Sequence, residues 1–216
     1  MNTPQLSQEQ LAAAISSAAT PSKLFDILSP YEEEAYLLSF QDNRQAELLS
    51  QFYAAYFLSH LLTDQIYEAR FLTKRMPQDL LQTDDSLQNC VALLRAIWQH
   101  KHESVYTILR ELPWPDTLKP IVQSYDTYFQ EKTLREVSRA YETIRPATAA
   151  SYLGLDPAAT ERGDQATIGK LMAHGWTQDE QTRLLHPNTV VDDSQQDEQL
   201  YNDLSEIMAL IGSRRG

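Results

Sequence analysis

The sequence predicts a mostly α fold: stacked helical hairpins, then a winged-helix subdomain, then a C-terminal amphipathic helix. Three observations predict it. Apolar residues recur at helical spacing through most of the 216-residue chain. Only six glycines occur, few for an architecture built on many tight turns. Residues 135–187 carry three short helical runs and then a small β element, which is the layout of a winged helix.

Taken in order, residues 1–43 are expected to form an N-terminal arm with extra helices, partly disordered. Met1–Ser22 is rich in Ser, Thr, Gln and Ala, with little apolar mass beyond Leu6, Leu11 and Ile15; a frayed helix is expected around Gln8–Ala18. Pro21 and Pro30 bracket a turn-rich unit, and Tyr31–Phe40 reads as a helix. Residues 44–134 form the helical-hairpin region. In Arg44–Leu62, Leu48, Leu49, Phe52, Tyr53, Tyr56 and Phe57 make a wide apolar stripe. Asp64–Arg75 is stopped by Met76-Pro77, because the residue before a proline avoids the α region. Ser86–Trp98 puts Leu87, Cys90, Leu94 and Ile97 on one face, and Glu103–Leu112 is stopped by Pro113-Trp114-Pro115. Leu118–Gln130 and Lys132–Ile144 complete the series. Short helices with short links read as hairpins that bury their stripes on one another.

In residues 135–187 the helical run Arg135–Ile144 leads through Pro146 and Ala149–Leu155 to a third run, Gln165–His174. Gly175-Trp176 closes that run, and a strand pair ends at Pro187. Residues 188–195 are an acidic linker. Within 196–211, Leu200, Leu204, Ile207 and Ile211 recur four, three and four residues apart, an apolar seam about four turns long. A helix that short needs a surface to lie against.

Composition narrows the partners. Residues 135–187 hold six Arg or Lys against seven Asp or Glu, and the third helix offers Lys170 as its one cation. Non-specific DNA affinity comes from cations neutralising phosphates, so this segment is expected to read proteins. A net charge of −12 likewise disfavours nucleic acid and anionic membrane. No apolar run approaches the ~20 residues that span a bilayer. One cysteine, Cys90, excludes an intrachain disulfide and a Cys-based zinc cluster. Met1–Ser22 lacks the pattern of a signal or transit peptide. A soluble, intracellular protein is predicted.

Little in the chain points to catalysis. No glycine-rich phosphate loop, H-E-x-x-H, C-x-x-C or G-x-S-x-G motif occurs. His100-Lys101-His102 has the H-x-H spacing of zinc isopeptidases, but the serine and aspartate that should follow are Arg110 and Pro113. A polar turn between helices is the expected role. Cys90 has no cation within a helical turn to lower its pKa and is expected in the core. Trp98, Trp114 and Trp176 are expected to anchor helix ends, and Glu32-Glu33-Glu34 to be a solvated first turn.

Glu68–Pro77, with its Ala-Arg-Phe-Leu-Thr-Lys-Arg-Met-Pro run, resembles a signature stretch of the smallest PCI-domain subunit family of the COP-nine signalosome, subunit eight. The resemblance continues through Ala96–Gln99, Val105-Tyr106, Val137–Ile144, Leu153–Leu155 and Gly175–Thr177, and Asp197–Leu200 opens the last helix similarly. It covers roughly residues 52–187 and 197–211. Thr73 stands where the family commonly has tryptophan, and the first 45 residues look longer than usual. Related subunits occur in the proteasome lid and in translation initiation factor three, subunit k.

The resemblance implies a non-catalytic scaffold in the complex that removes a ubiquitin-like modifier from cullins, with nuclear and cytoplasmic localisation. It implies partners among other PCI subunits, met edge to edge through winged helices and in a C-terminal helical bundle. The interface residues expected are Thr182, Arg183, Leu184 and Leu185 on the last strand and Leu200, Leu204, Ile207 and Ile211 on the tail. No catalytic residue, cofactor, metal, nucleic acid, membrane or small-molecule substrate is expected.

Overall fold

The computed structural model of the chain describes residues 6–18, 20–37 and 43–188. The helices are α1 (Gln8–Ser17), α2 (Pro21–Leu28), α3 (Glu32–Leu37), α4 (Asn43–Leu62), α5 (Ile66–Arg75) and α6 (Gln78–Thr83). They continue with α7 (Asp85–Trp98), α8 (His102–Arg110), α9 (Lys119–Ala140), α10 (Pro146–Tyr152), α11 (Pro157–Glu161) and α12 (Gln165–Ala173). Two short strands, β1 (Thr177–Gln178) and β2 (Leu185–His186), follow. The mostly α fold is as predicted. Among the described residues no helix is long and apolar enough to cross a membrane.

The centre of the helical body is α4. Every residue from Leu49 to Leu62 is buried, because α1, α2, α5, α7 and α9 all pack on it. Of the polar side chains it takes inside, Ser59 and Gln51 are hydrogen-bonded, as burial favours, and His60 uses Nδ1 but not Nε2. Ser59 Oγ donates to the Tyr56 carbonyl (2.7 Å), and Gln51 Oε1 accepts from Thr117 Oγ1 (2.9 Å).

Four expectations are corrected. The described part of the N-terminal arm is packed: Leu6, Leu11, Ala14 and Ile15 join the main core. Ser7 caps α1 by accepting from the Gln10 N–H, and Thr20 caps α2 by accepting from the Lys23 N–H. The acidic turn of α3 is tied down, because Glu32 pairs with Arg75 at 2.7 Å and Glu34 accepts from the Leu6 N–H at 2.8 Å.

The pair of helices expected at Leu118–Gln130 and Lys132–Ile144 is one helix, α9. No proline or glycine interrupts it after Pro120, which sits harmlessly in its first turn. Its first half (Ile121, Val122, Tyr125, Phe129) lies in the main core, whereas Val137 lies in a second core with Ile144, Ala149, Leu153, Leu171, Trp176 and Leu185. One rigid element therefore carries both cores. Helical structure stops at Ala140, and the three short helices that precede the β element are α10, α11 and α12. The middle one, α11, is started by Asp156, which accepts from the Ala158 and Ala159 N–H groups, with Pro157 in its first turn.

Candidate protein-interaction surfaces

The second core organises the C-terminal subdomain. Trp176 is its largest member, and its Nε1–H donates to Ser138 Oγ on α9 (3.0 Å), satisfying the indole at the one place where it is polar. Strands β1 and β2 pair antiparallel, Thr177 opposite His186 and Gln178 opposite Leu185. On its other side Leu185 exchanges two 2.9 Å backbone bonds with Ile144. The strand β2 is thus the middle of a three-segment ribbon.

This arrangement relocates the predicted interface strand. Thr182 and Arg183 lie in the turn before β2, not in the strand. The turn is built on Asp179, whose carboxylate accepts from the Gln181 N–H (2.8 Å) and the Thr182 hydroxyl (2.7 Å). Those two bonds, the hydroxyl's first, hold the Asp179 carboxyl below the usual carboxylate range. Arg183 takes φ +56°, and its N–H is spent on the Asp179 carbonyl (2.8 Å). Leu184 is half-buried and Leu185 is fully buried. Since Leu185 faces Ile144 with both of its backbone groups, the Gln178–Leu185 pair is the non-hydrogen-bonded kind, and the Gln178 N–H and C=O point away from β2. The outer edge of the hairpin is β1. Leu200, Leu204, Ile207 and Ile211 lie outside the described residues.

Several side chains fasten the subdomain to the helical body, Arg110 the most heavily bonded of them. The Arg110 guanidinium, on α8, forms a two-pronged pair with Asp126 on α9 (3.0 Å), donates Nη1–H to the Gly154 carbonyl (2.6 Å) and stacks 4.5 Å over the Tyr106 ring. Gln130 Nε2 donates to the Leu153 carbonyl at 2.7 Å, and Ser151 hydrogen-bonds Glu103. Gly154 sits at φ +62° against Tyr106; a Cβ there would come within 2.4 Å of the ring.

The residues weighed for chemistry have structural surroundings. Cys90 is fully buried, and burial pushes its thiol up. His102 lies with its ring against Phe129 and Tyr152, and His100 occupies the turn after α7 at φ +53°. His60, not singled out in the sequence, is a core histidine stacked among Phe25 and Tyr56, with Nδ1 on Gln65 Oε1 (3.0 Å). Burial lowers its pKa. Among the described residues no cluster of three or more His, Cys, Asp or Glu is placed to hold a metal.

Of the three tryptophans, Trp114 and Trp176 are core anchors, but Trp98 is 45% exposed. With Tyr67 and Phe71 it forms an aromatic ridge on α5 and α7 that periodicity did not pick out, because these residues lie off the buried stripe at Ala69, Leu72 and Met76.

Against known proteins, the sequence model of the CSN8/PSMD8/EIF3K family matches residues 47–196. The chain is 54% identical over 214 residues to a COP9 signalosome complex subunit 8 from Emericella nidulans, covering 99% of each. It is 27% identical over 146 residues to the subunit 8 of Dictyostelium discoideum, covering 68% of this chain and 70% of that one. With the Arabidopsis thaliana subunit 8 it shares 28% over 127 residues, 59% of this chain and 61% of the other.

Proposed function

Since the chain belongs to the CSN8/PSMD8/EIF3K family, we propose that it is a non-catalytic structural subunit of the COP9 signalosome, nuclear and cytoplasmic. In this reading it assembles neighbouring PCI subunits through its C-terminal subdomain, a winged helix, and through its C-terminal helix. It contributes no chemistry to the removal of a ubiquitin-like modifier from cullins.

The observation that carries the reading is similarity to a signalosome subunit 8 along essentially the whole of both chains, tail included. The architecture is consistent with assembly. Among the described residues the β1–β2 hairpin has an open outer edge at Gln178, where a partner strand could add. Strand β1 is only two residues long, so side-chain contacts must supply most of the affinity. The shared α9 makes the subdomain a rigid extension of the helical body, suited to fixing the angle between neighbours.

The test is recovery of the tagged chain from native extract. Signalosome subunits should co-purify stoichiometrically; recovery with proteasome-lid or initiation-factor subunits would refute the assignment. Burying one leucine or isoleucine contributes about 1.5–3 kcal/mol, so Leu204→Asp with Ile207→Asp should release the chain from its complex while leaving its own unfolding temperature nearly unchanged. Loss of monomer stability with the complex intact would place the tail in the chain's own core instead.

A further inference from the structure

Helix α5 has two faces. Ala69, Leu72 and Met76 go into the core. Tyr67, Arg70, Phe71 and Lys74, at i, i+3, i+4 and i+7, form a second continuous stripe that faces solvent. Tyr67 is 63% and Phe71 49% exposed, large values for aromatic rings with an interior to enter. Trp98, at the end of α7, meets Tyr67 edge-on at 5.5 Å. The Arg70 guanidinium lies 5.2 Å over the Trp98 ring and the Lys74 ammonium 5.5 Å from that of Phe71. Among the described residues neither cation has an ion-pair partner, in a chain where acids outnumber bases by twelve. Arg95, also exposed, stands one turn before Trp98. Behind the ridge lies an open cleft of about 450 Å³ lined by Tyr67, Trp98, Tyr125 and Phe129, with Lys101 and Glu136 also on its wall and the Lys132–Asp64 ion pair beside them.

We propose that this α5–α7 face is a docking surface for a short acidic segment of another protein, which rests carboxylates on Arg70 and Lys74 and inserts an apolar side chain beside Trp98. Charge selects the occupant. The face concentrates cations that have no ion-pair partner among the described residues, on an otherwise acidic molecule, so it attracts acids and orients them. A cation over one ring face stays close to the apolar surface of the ring's edge and other face, so charge and apolar area are offered side by side. Size selects it too. From Tyr67 to Lys74 the stripe runs about 10 Å along the helix, which matches a few residues of a peptide, whereas the ~800 Å² per partner of a standard interface between two copies needs a patch roughly 30 Å across. Nucleic acid is disfavoured because its affinity grows with the number of phosphates neutralised, and a handful of cations on a chain of net charge −12 neutralises few. The inference rests on the α5–α7 face and the cleft beside it and stands whether or not the signalosome assignment does.

The experiment puts photo-crosslinking benzoyl-phenylalanine at Phe71 in the full chain, within its native assembly, and sequences what is captured by mass spectrometry. The expected result is one protein segment in which Asp and Glu outnumber Lys and Arg around an aliphatic or aromatic residue. Its yield should fall about tenfold, the equivalent of one weakened ionic contact, in an Arg70→Glu/Lys74→Glu background. An Arg70→Gln/Lys74→Gln background should give an intermediate yield. Because the altered side chains are exposed, helix content and unfolding temperature should stay those of the parent, which separates lost docking from lost folding. Capture of RNA or DNA, of a second copy, of this chain's own tail or of a neutral or basic segment overturns the proposal, as does no capture.

Discussion

Substituting Gly154 by alanine tests how the two cores are joined. Two costs add. At φ +62° a Cβ is strained against its own backbone, by roughly 1–2 kcal/mol. The same Cβ would stand 2.4, 2.5 and 2.6 Å from three atoms of the Tyr106 ring, where carbon atoms at rest are about 3.5–4 Å apart. The ring has little room to retreat: it is 4% exposed, edge-on to Phe129 at 5.5 Å and covered by Arg110 at 4.5 Å. Overpacking of this kind costs about 1–3 kcal/mol, so Gly154→Ala should destabilise by about 2–5 kcal/mol. Gly163 supplies the control. It also has positive φ, +82°, but a Cβ there meets nothing within 4 Å, and Gly163→Ala should cost only the conformational part, roughly 1–2 kcal/mol. Urea unfolding followed by far-UV circular dichroism measures both. Thermal unfolding of Gly154→Ala should shift by roughly 4–20 °C, at about 2–4 °C per kcal/mol for a domain of this size. Equal losses in the two variants, within ~0.5 kcal/mol, the usual error of such comparisons, would refute the argument that Tyr106 demands glycine.

Trp176→Phe removes the indole donor from Ser138 while keeping most of the ring, and should cost about 0.5–1.5 kcal/mol in urea unfolding; Trp176→Ala should cost about 3–5 kcal/mol. Burial lowers the pKa of His60 in the folded state, so the unfolded chain takes up the proton first. Stability is therefore fully present above the ordinary histidine pKa and falls as pH drops through it; unfolding midpoints between pH 7.5 and 5.5 (roughly one unit either side of that pKa) should fall less steeply for His60→Gln. Cys90, fully buried with its thiol raised, should resist thiol reagents in the native protein and react at the rate of global unfolding; fast native labelling would count against its place in the core.

Much of the helical layout was legible because local rules write it. Pro77 and Pro113 mark helix ends that the structure keeps near Arg75 and Arg110, and the i, i+3, i+4 stripe of α7 places Leu87, Cys90 and Leu94 inside, where they are found. Other features depend on contacts distant in sequence. Glu32 is held by Arg75 and Leu6 by Glu34, so a segment that reads as a polar arm becomes part of the body. Helix α9 reads as two helices until its two halves are seen entering two different cores. The strand near residue 182 was legible in kind but not in register, because Ile144 pairs with Leu185 across some forty residues of chain and Asp179 folds Thr182 and Arg183 into the turn.

By itself, then, the sequence determined the α class, most helix ends and the acidic net charge, since each depends on neighbours along the chain or on a sum over it. Only the tertiary structure decided which helix is surrounded, which strand lies outermost among the described residues and which aromatic rings are left in water. Those depend on what packs against each face, and a face is occupied by residues that the chain brings back from far away.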